Sequence, residues 1–126
     1  MSALTDAIDA ICRQVSGDPS ADAVASELGD VVERQENALQ VRPRDEHFDG
    51  AFIVHEDDGT LSHVELTLSE PAPLEELVAA FGEYREAPRL QPRRPRQLVF
   101  AVPGGAVIAA ADRSDSVSGV TVRRDA

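Results

Sequence analysis

Three histidines and one cysteine are the side chains in this sequence best suited to metal, acid–base or nucleophilic chemistry: His47, His55, His63 and Cys12. His55 and His63 flank an Asp58-Gly59 pair, so a hairpin turning there brings them onto neighbouring strands, with Glu65 two residues beyond His63. Two imidazoles and a carboxylate on one sheet face form a set able to ligate a metal or to move a proton. Asp57, Asp58 and Thr60 miss the spacing of a calcium-binding loop. Cys12 falls on an apolar helical stripe and reads as a small core residue. No nucleophile elbow G-x-S-x-G, no phosphate-binding G-x-x-x-x-G-K or G-x-G-x-x-G, and no C-x-x-C pair occurs. No catalytic residue, resident metal or cofactor is assigned.

The second chemical feature is a run of cations. Arg85, Arg89, Arg93, Arg94 and Arg96 fall within twelve residues, with Glu86 the one acid among them. A solvated loop balancing acidic helices is one reading, and such exposed pairs contribute only about 0–1 kcal/mol each. The other is an arm that grips a carboxylate or phosphate through the bidentate guanidinium fork. Tyr84 beside it is a single aromatic and makes no nucleic-acid stacking platform.

These residues must be positioned by an α+β scaffold. Leu4, Ile8, Ile11, Cys12 and Val15 recur at helical spacing over 3–16, and Gly17 ends that helix. Ser20 caps a second helix, whose stripe of Val24, Leu28, Val31, Val32, Gln35 and Leu39 carries onward past Gly29; glycine there costs about 1 kcal/mol relative to alanine, which allows a break, with Asp30 and Glu33 capping a restarted helix. Leu39 and Val41 suit either its end or a short edge strand. Residues 1–42 are thus expected to be the helical part. Gly50 to Leu68 reads as two strands around Asp58-Gly59, stopped by the prolines at 71 and 73. Leu74, Leu77, Val78 and Phe81 make one face of a short helix over 73–82, with Gly82 as its cap. Residues 83–96 read as a loop. Strands at 97–102, 106–111 and 117–124 then form a three-strand meander, antiparallel because its connections are short. The expectation is a single domain, 1–126, with an antiparallel sheet of about five strands over 50–124. No internal repeat is visible.

The hairpin register decides which residues face out. A two-residue turn at Asp58-Gly59 pairs Phe52 with Glu65. A three-residue turn with Gly59 in the left-handed region pairs Glu56 with Thr60 and Phe52 with Val64. Side chains alternate with period two, so a one-residue slip moves each to the other face. The three-residue turn gathers Phe52, Val54, Val64, Leu66 and Leu68 on one face and is the expected register. It leaves Ile53, His55, Leu61, His63 and Glu65 on the other, a half-apolar contact surface.

The bulk properties narrow the function. The chain has 126 residues, 42% hydrophobic and 28% charged, a globular composition. Net charge is −11, and all twelve basic residues are arginine. Residues 1–80 carry 18 acids and 4 arginines, net −14; residues 81–126 carry 5 acids and 8 arginines, net +3. Such an acidic chain is repelled by phosphate backbones, which argues against nucleic acid as partner. One cysteine allows no internal disulfide and suits a reducing compartment. The first residues lack a basic n-region and no stretch reaches 18 apolar residues, so neither a signal peptide nor a membrane helix is expected. The arginine, alanine and valine bias fits a GC-rich bacterial source, and the expected location is the cytoplasm.

The segment LTLSEPAPLEELVAAFGEYREAPRL, followed by RQLVFAV, VIAAA and SGVTVRR, resembles a module of the β-lactamase-inhibitor-protein and SmpA/OmlA lipoprotein group. The resemblance spans about residues 66–124: a short helix ending in Phe81-Gly82, a linker, and a meander closing on Gly119-Val120-Thr121-Val122. The chain lacks that group's paired or lipid-bearing cysteines. The resemblance implies a non-enzymatic binding surface. The expected function is a protein-interaction module whose partner is another protein, itself included. The alternatives are an immunity or inhibitor protein with an acidic surface for a basic partner, and a small-ligand or metal domain using His55, His63 and Glu65.

Overall fold

The structure, a computed structural model, describes residues 2–17, 20–89 and 94–124. Its elements are α1 (Ala3–Ser16), α2 (Ala21–Leu28), β1 (Gly29–Gln35), β2 (Ala38–Pro43), β3 (Phe48–His55), β4 (Leu61–Pro73), α3 (Leu74–Phe81), β5 (Tyr84–Glu86), β6 (Arg96–Val102), β7 (Gly105–Ala111) and β8 (Ser116–Arg124). The class is α+β with an antiparallel sheet, as the pattern implied. The sheet has eight strands rather than about five.

Helix α1 starts on a reciprocal cap. The Ser2 hydroxyl accepts from the Thr5 N–H, and Thr5 Oγ1 accepts from the Ser2 N–H, so two amides without helical partners are satisfied. Its stripe Leu4, Ile8, Ile11, Cys12 and Val15 is buried. Ser20 caps α2 by accepting from Ala23 N–H.

The expected continuation of α2 is overturned. The helix ends at Leu28, and residues 29–43 form the hairpin β1–β2, so the helical part of the chain does not extend to 42. Gly29 lies directly against β2: a Cβ there would fall 1.9 Å from the Arg42 carbonyl oxygen. Only glycine permits that approach. Val31 and Val32 lose less side-chain freedom in a strand than in a helix. Asn37 occupies the turn and donates from Nδ2 to the His55 carbonyl at 3.1 Å, tying the hairpin to β3. Leu39 and Val41 lie in β2 and are buried.

Two further expectations change. The stretch 83–96 is not all loop, because Tyr84–Glu86 pairs with β6 as β5. Strand β4 runs to Pro73 instead of stopping near Leu68; its pairing with β8 breaks between Thr67 and Ala72, and Pro71 falls in that break, where no ladder donor is needed. Helix α3 then begins at Leu74, with Pro73 at its N-cap and Gly82 (φ 89°) at its end.

The strand order is β1-β2-β3-β4-β8-β7-β6-β5. It is two four-stranded meanders, β1–β4 and β5–β8, each preceded by helix and meeting at the β4–β8 pair. The repetition is topological, without a counterpart in the sequence. Helix α1 packs on β7 and β8, α2 on β1 to β3, and α3 on β4 and β6. Residues from all three helices join one buried cluster with the sheet face they cover, including Ile53, Val64, Phe100, Val107 and Val122. Burying each such side chain contributes about 1.5–3 kcal/mol. Among the described residues, no helix packs on the opposite face. No described helix is long and apolar enough to cross a membrane.

Candidate functional site

The β3–β4 turn has the expected three-residue form. Glu56 N–H donates to the Thr60 carbonyl at 2.8 Å, Gly59 N–H donates to Glu56 at 3.0 Å, and Gly59 has φ 88°. Asp58 accepts from Thr60 N–H at 2.9 Å, and that hydrogen bond lowers its pKa. The register beyond the turn is nevertheless the other one. His55 pairs with Leu61 and Val54 with His63, leaving Ser62 as an extra, bulged residue. The bulge returns Phe52 to a place opposite Glu65 and Ile53 opposite Val64.

This slip rearranges the predicted contact surface. Ile53 and Leu61 are core residues, 0% and 2% exposed, and take no part in an outer surface. Phe52, expected inside, is 37% exposed on the open face. His55 follows Leu61 to the helix-covered side, at the sheet end, where its Nδ1 lies 2.7 Å from the Glu56 carbonyl. His63 faces the open side, with Nδ1 3.1 Å from Ser62 Oγ and Nε2 3.4 Å from Glu65 Oε1. The His55/His63/Glu65 set is therefore split between two faces. Among the described residues no cluster of three or more His, Cys, Asp or Glu is arranged for a metal ion.

The open face follows from the register. One row crosses the sheet as Phe52, Glu65, Thr121, Ile108, Val99 and Arg85. The next is Val54, His63, Arg123, Ala106 and Ala101. Both mix aliphatic and aromatic side chains with a few charges. The sequence held a signal for this face: β3, β6 and β7 carry apolar residues at consecutive positions (Ala51 to Val54, Leu98 to Val102, Ala106 to Ala111), as a strand does when neither face is wholly polar.

The arginine-rich stretch is distributed. Arg85 belongs to β5 and faces the open side beside Val99. Arg89, Arg94 and Arg96 line a groove of about 320 Å³ with Asp112 and Arg113. Arg93 lies outside the described residues. Arg96 is a structural tie: it contacts Asp115, lies 3.5 Å from Glu86, and donates to the Asp112 carbonyl at 3.1 Å. Its hydrogen bond to Asp115 raises its pKa. It holds the β7–β8 turn to the start of β6.

A second histidine arrangement escaped the sequence reading, although its D-x-H spacing was there to find. Asp45 Oδ1 accepts from His47 N–H at 2.8 Å and lies 2.6 Å from His47 Nδ1. His47 edges a cleft of about 480 Å³ bordered by Ser2, Glu46, Ser69, Glu70 and Glu76. Asp45 fixes the ring, as in a general base. Two hydroxyls border the same cleft: Ser69 donates to the Glu46 carbonyl at 2.7 Å, and Ser2 accepts from the Thr5 N–H at the start of α1. Cys12, buried in the core, has its thiol pushed up to about 11 by burial, with Asp9 adding to the effect; a thiol so held is a poor nucleophile.

No protein-family model matches this chain, and no curated protein does. The fold has a solved counterpart. A DUF4309 family protein, YjgB, from Bacillus subtilis subsp. subtilis str. 168 aligns with a TM-score of 0.61 over 96% of this chain and 97% of that one, at 11% sequence identity. At that identity the likeness is one of fold.

Proposed function

We propose that this chain is a non-enzymatic protein-binding module whose contact surface is the open face of the sheet. The observation that carries the reading is Phe52, 37% exposed at the centre of β3, on a face over which no described helix packs. Val54, Val99 and Ile108 extend that apolar surface. Eight strands at roughly 4.8 Å spacing make a face about 34 Å across, and roughly 20 Å of strand length gives it an area near 700 Å². That approaches the roughly 800 Å² each partner buries in a standard interface. The face is broad and shallow, which suits a protein surface better than a small molecule. With a net charge of −11, two copies repel one another, so the expected occupant is a different protein whose own net charge is not strongly negative. The resemblance of residues 66–124 to a group of binding modules points the same way.

The test is affinity capture from the native source with the wild-type chain and with Phe52→Asp, an exposed change that leaves the core intact. A stoichiometric partner held by the wild type and released by Phe52→Asp is expected. A partner retained equally by both, or a chain that sediments as a monomer and captures nothing, removes the reading.

A further inference from the structure

The open face is not uniform. At its β5–β8 end lies a groove of about 500 Å³. Its floor is Val99, Ala101, Gly105 and Ala106, all small or aliphatic, from β6 and β7. Arg85 on β5 forms one wall and Arg123 on β8 the other. The two strands are three spacings apart, about 14 Å, which is room for one extended segment, or a slim helix, between the guanidinium groups.

Charge makes the groove unusual. The chain has 23 acids and 12 arginines, and among the described residues four arginines find a carboxylate: Arg13 pairs with Asp9, Arg34 with Asp22, Arg44 with Asp30, and Arg96 with Glu86 and Asp115. Arg85 and Arg123 make no ion pair among the described residues. Both face the apolar floor from opposite sides. Among the described residues, Glu83 is the one carboxylate lining the groove.

We infer that this groove is the anchoring subsite of the proposed surface, and that it takes an acidic segment of the partner protein. The segment lays an apolar stripe on Val99, Ala101 and Ala106 and presents carboxylates outward to Arg85 and Arg123. An arginine with no ion pair among the described residues is available for a bidentate carboxylate, and an apolar segment laid over the floor between the two would displace water there and strengthen both contacts. Glu83 repels carboxylates from its end and so sets the direction in which the segment lies. The inference rests on the open face being the binding surface, and it goes further by naming the chemistry that surface recognises.

The experiment uses the full chain and two labelled peptides, one alternating Glu and Leu and one alternating Lys and Leu, read by fluorescence anisotropy at low and high salt. The Glu–Leu peptide binds, the Lys–Leu peptide does not, and Arg85→Ala with Arg123→Ala weakens binding by about tenfold, as expected for two partly exposed charge pairs. Binding falls as salt rises. Both side chains are at the surface, and an unchanged melting transition shows the variant folded. The inference is overturned if the Glu–Leu peptide fails to bind, if it binds through Arg89 and Arg94 as judged by their alanine variants, or if a single-stranded oligonucleotide occupies the same arginines more tightly. A native partner released by Phe52→Asp but kept by the Arg85/Arg123 variant overturns the acidic anchor and leaves the open-face reading standing. A partner kept by both variants removes the two together.

Discussion

Exchanging the roles of two neighbouring residues is the sharpest available test of the hairpin register. Ile53 is fully buried opposite Val64, whereas Phe52 is 37% exposed opposite Glu65. Ile53→Ala removes three methyl-sized groups from a packed core. Transfer and cavity costs together make this about 2–5 kcal/mol. Phe52→Ala leaves no cavity, because one side of the ring already faces solvent, and it forfeits a cross-strand contact of about 1 kcal/mol. For a chain of this size each kcal/mol moves the melting midpoint by roughly 4 °C. The expected losses are then about 8–20 °C for Ile53→Ala and about 4 °C for Phe52→Ala. The chain has no tryptophan and one tyrosine, so far-UV circular dichroism is the appropriate signal. If Phe52→Ala costs as much as Ile53→Ala, the Ser62 bulge is wrong, Phe52 belongs to the core, and the open-face reading loses its central residue.

Gly29→Ala forces a Cβ into the Arg42 carbonyl; backbone cannot move aside as a side-chain tip does, so a loss near the upper end of about 1–3 kcal/mol is expected in urea unfolding, and a wild-type midpoint would show that β1 does not approach β2 this way. Cys12 should react with a disulfide reagent about a hundredfold more slowly in the native protein than in denaturant at pH 8, because burial holds its pKa near 11 against an ordinary 9.0. The same shift has a sign for stability. Between those values the native state keeps a proton that the unfolded chain gives up, so stability is fully present below about pH 9 and declines towards about pH 11. A thiol that reacts at the same rate in both states refutes the buried placement.

Much of the candidate site was hidden for a physical reason. In β3 the residues Ala51, Phe52, Ile53 and Val54 are all apolar, so hydrophobic alternation does not choose between registers. The three-residue turn forms as expected, but the bulge at Ser62 turns Phe52 and Val54 outward in place of Ile53 and Leu61. The same weakness concealed β1. A stripe of Val24, Leu28, Val31 and Val32 satisfies a helical period, and the close approach that makes Gly29 a switch is invisible until β2 lies beside it. Strand β5 has three residues, all exposed, and leaves no pattern to read.

What the sequence settled by itself was local. The cap at Ser20, the stripe of α1, the stop at Gly82 and the left-handed residue at Gly59 each depend on a few neighbouring side chains and on the steric freedom of one glycine. What required the tertiary structure was everything that depends on a partner strand or on which face the helices cover. The Ser62 bulge, the joining of two meanders at β4 and β8, the separation of His55 from His63, and the meeting of Arg85 with Arg123 across three strand spacings all arise from long-range pairing. A side chain's face is set by the strand it pairs with, and that strand is distant in sequence.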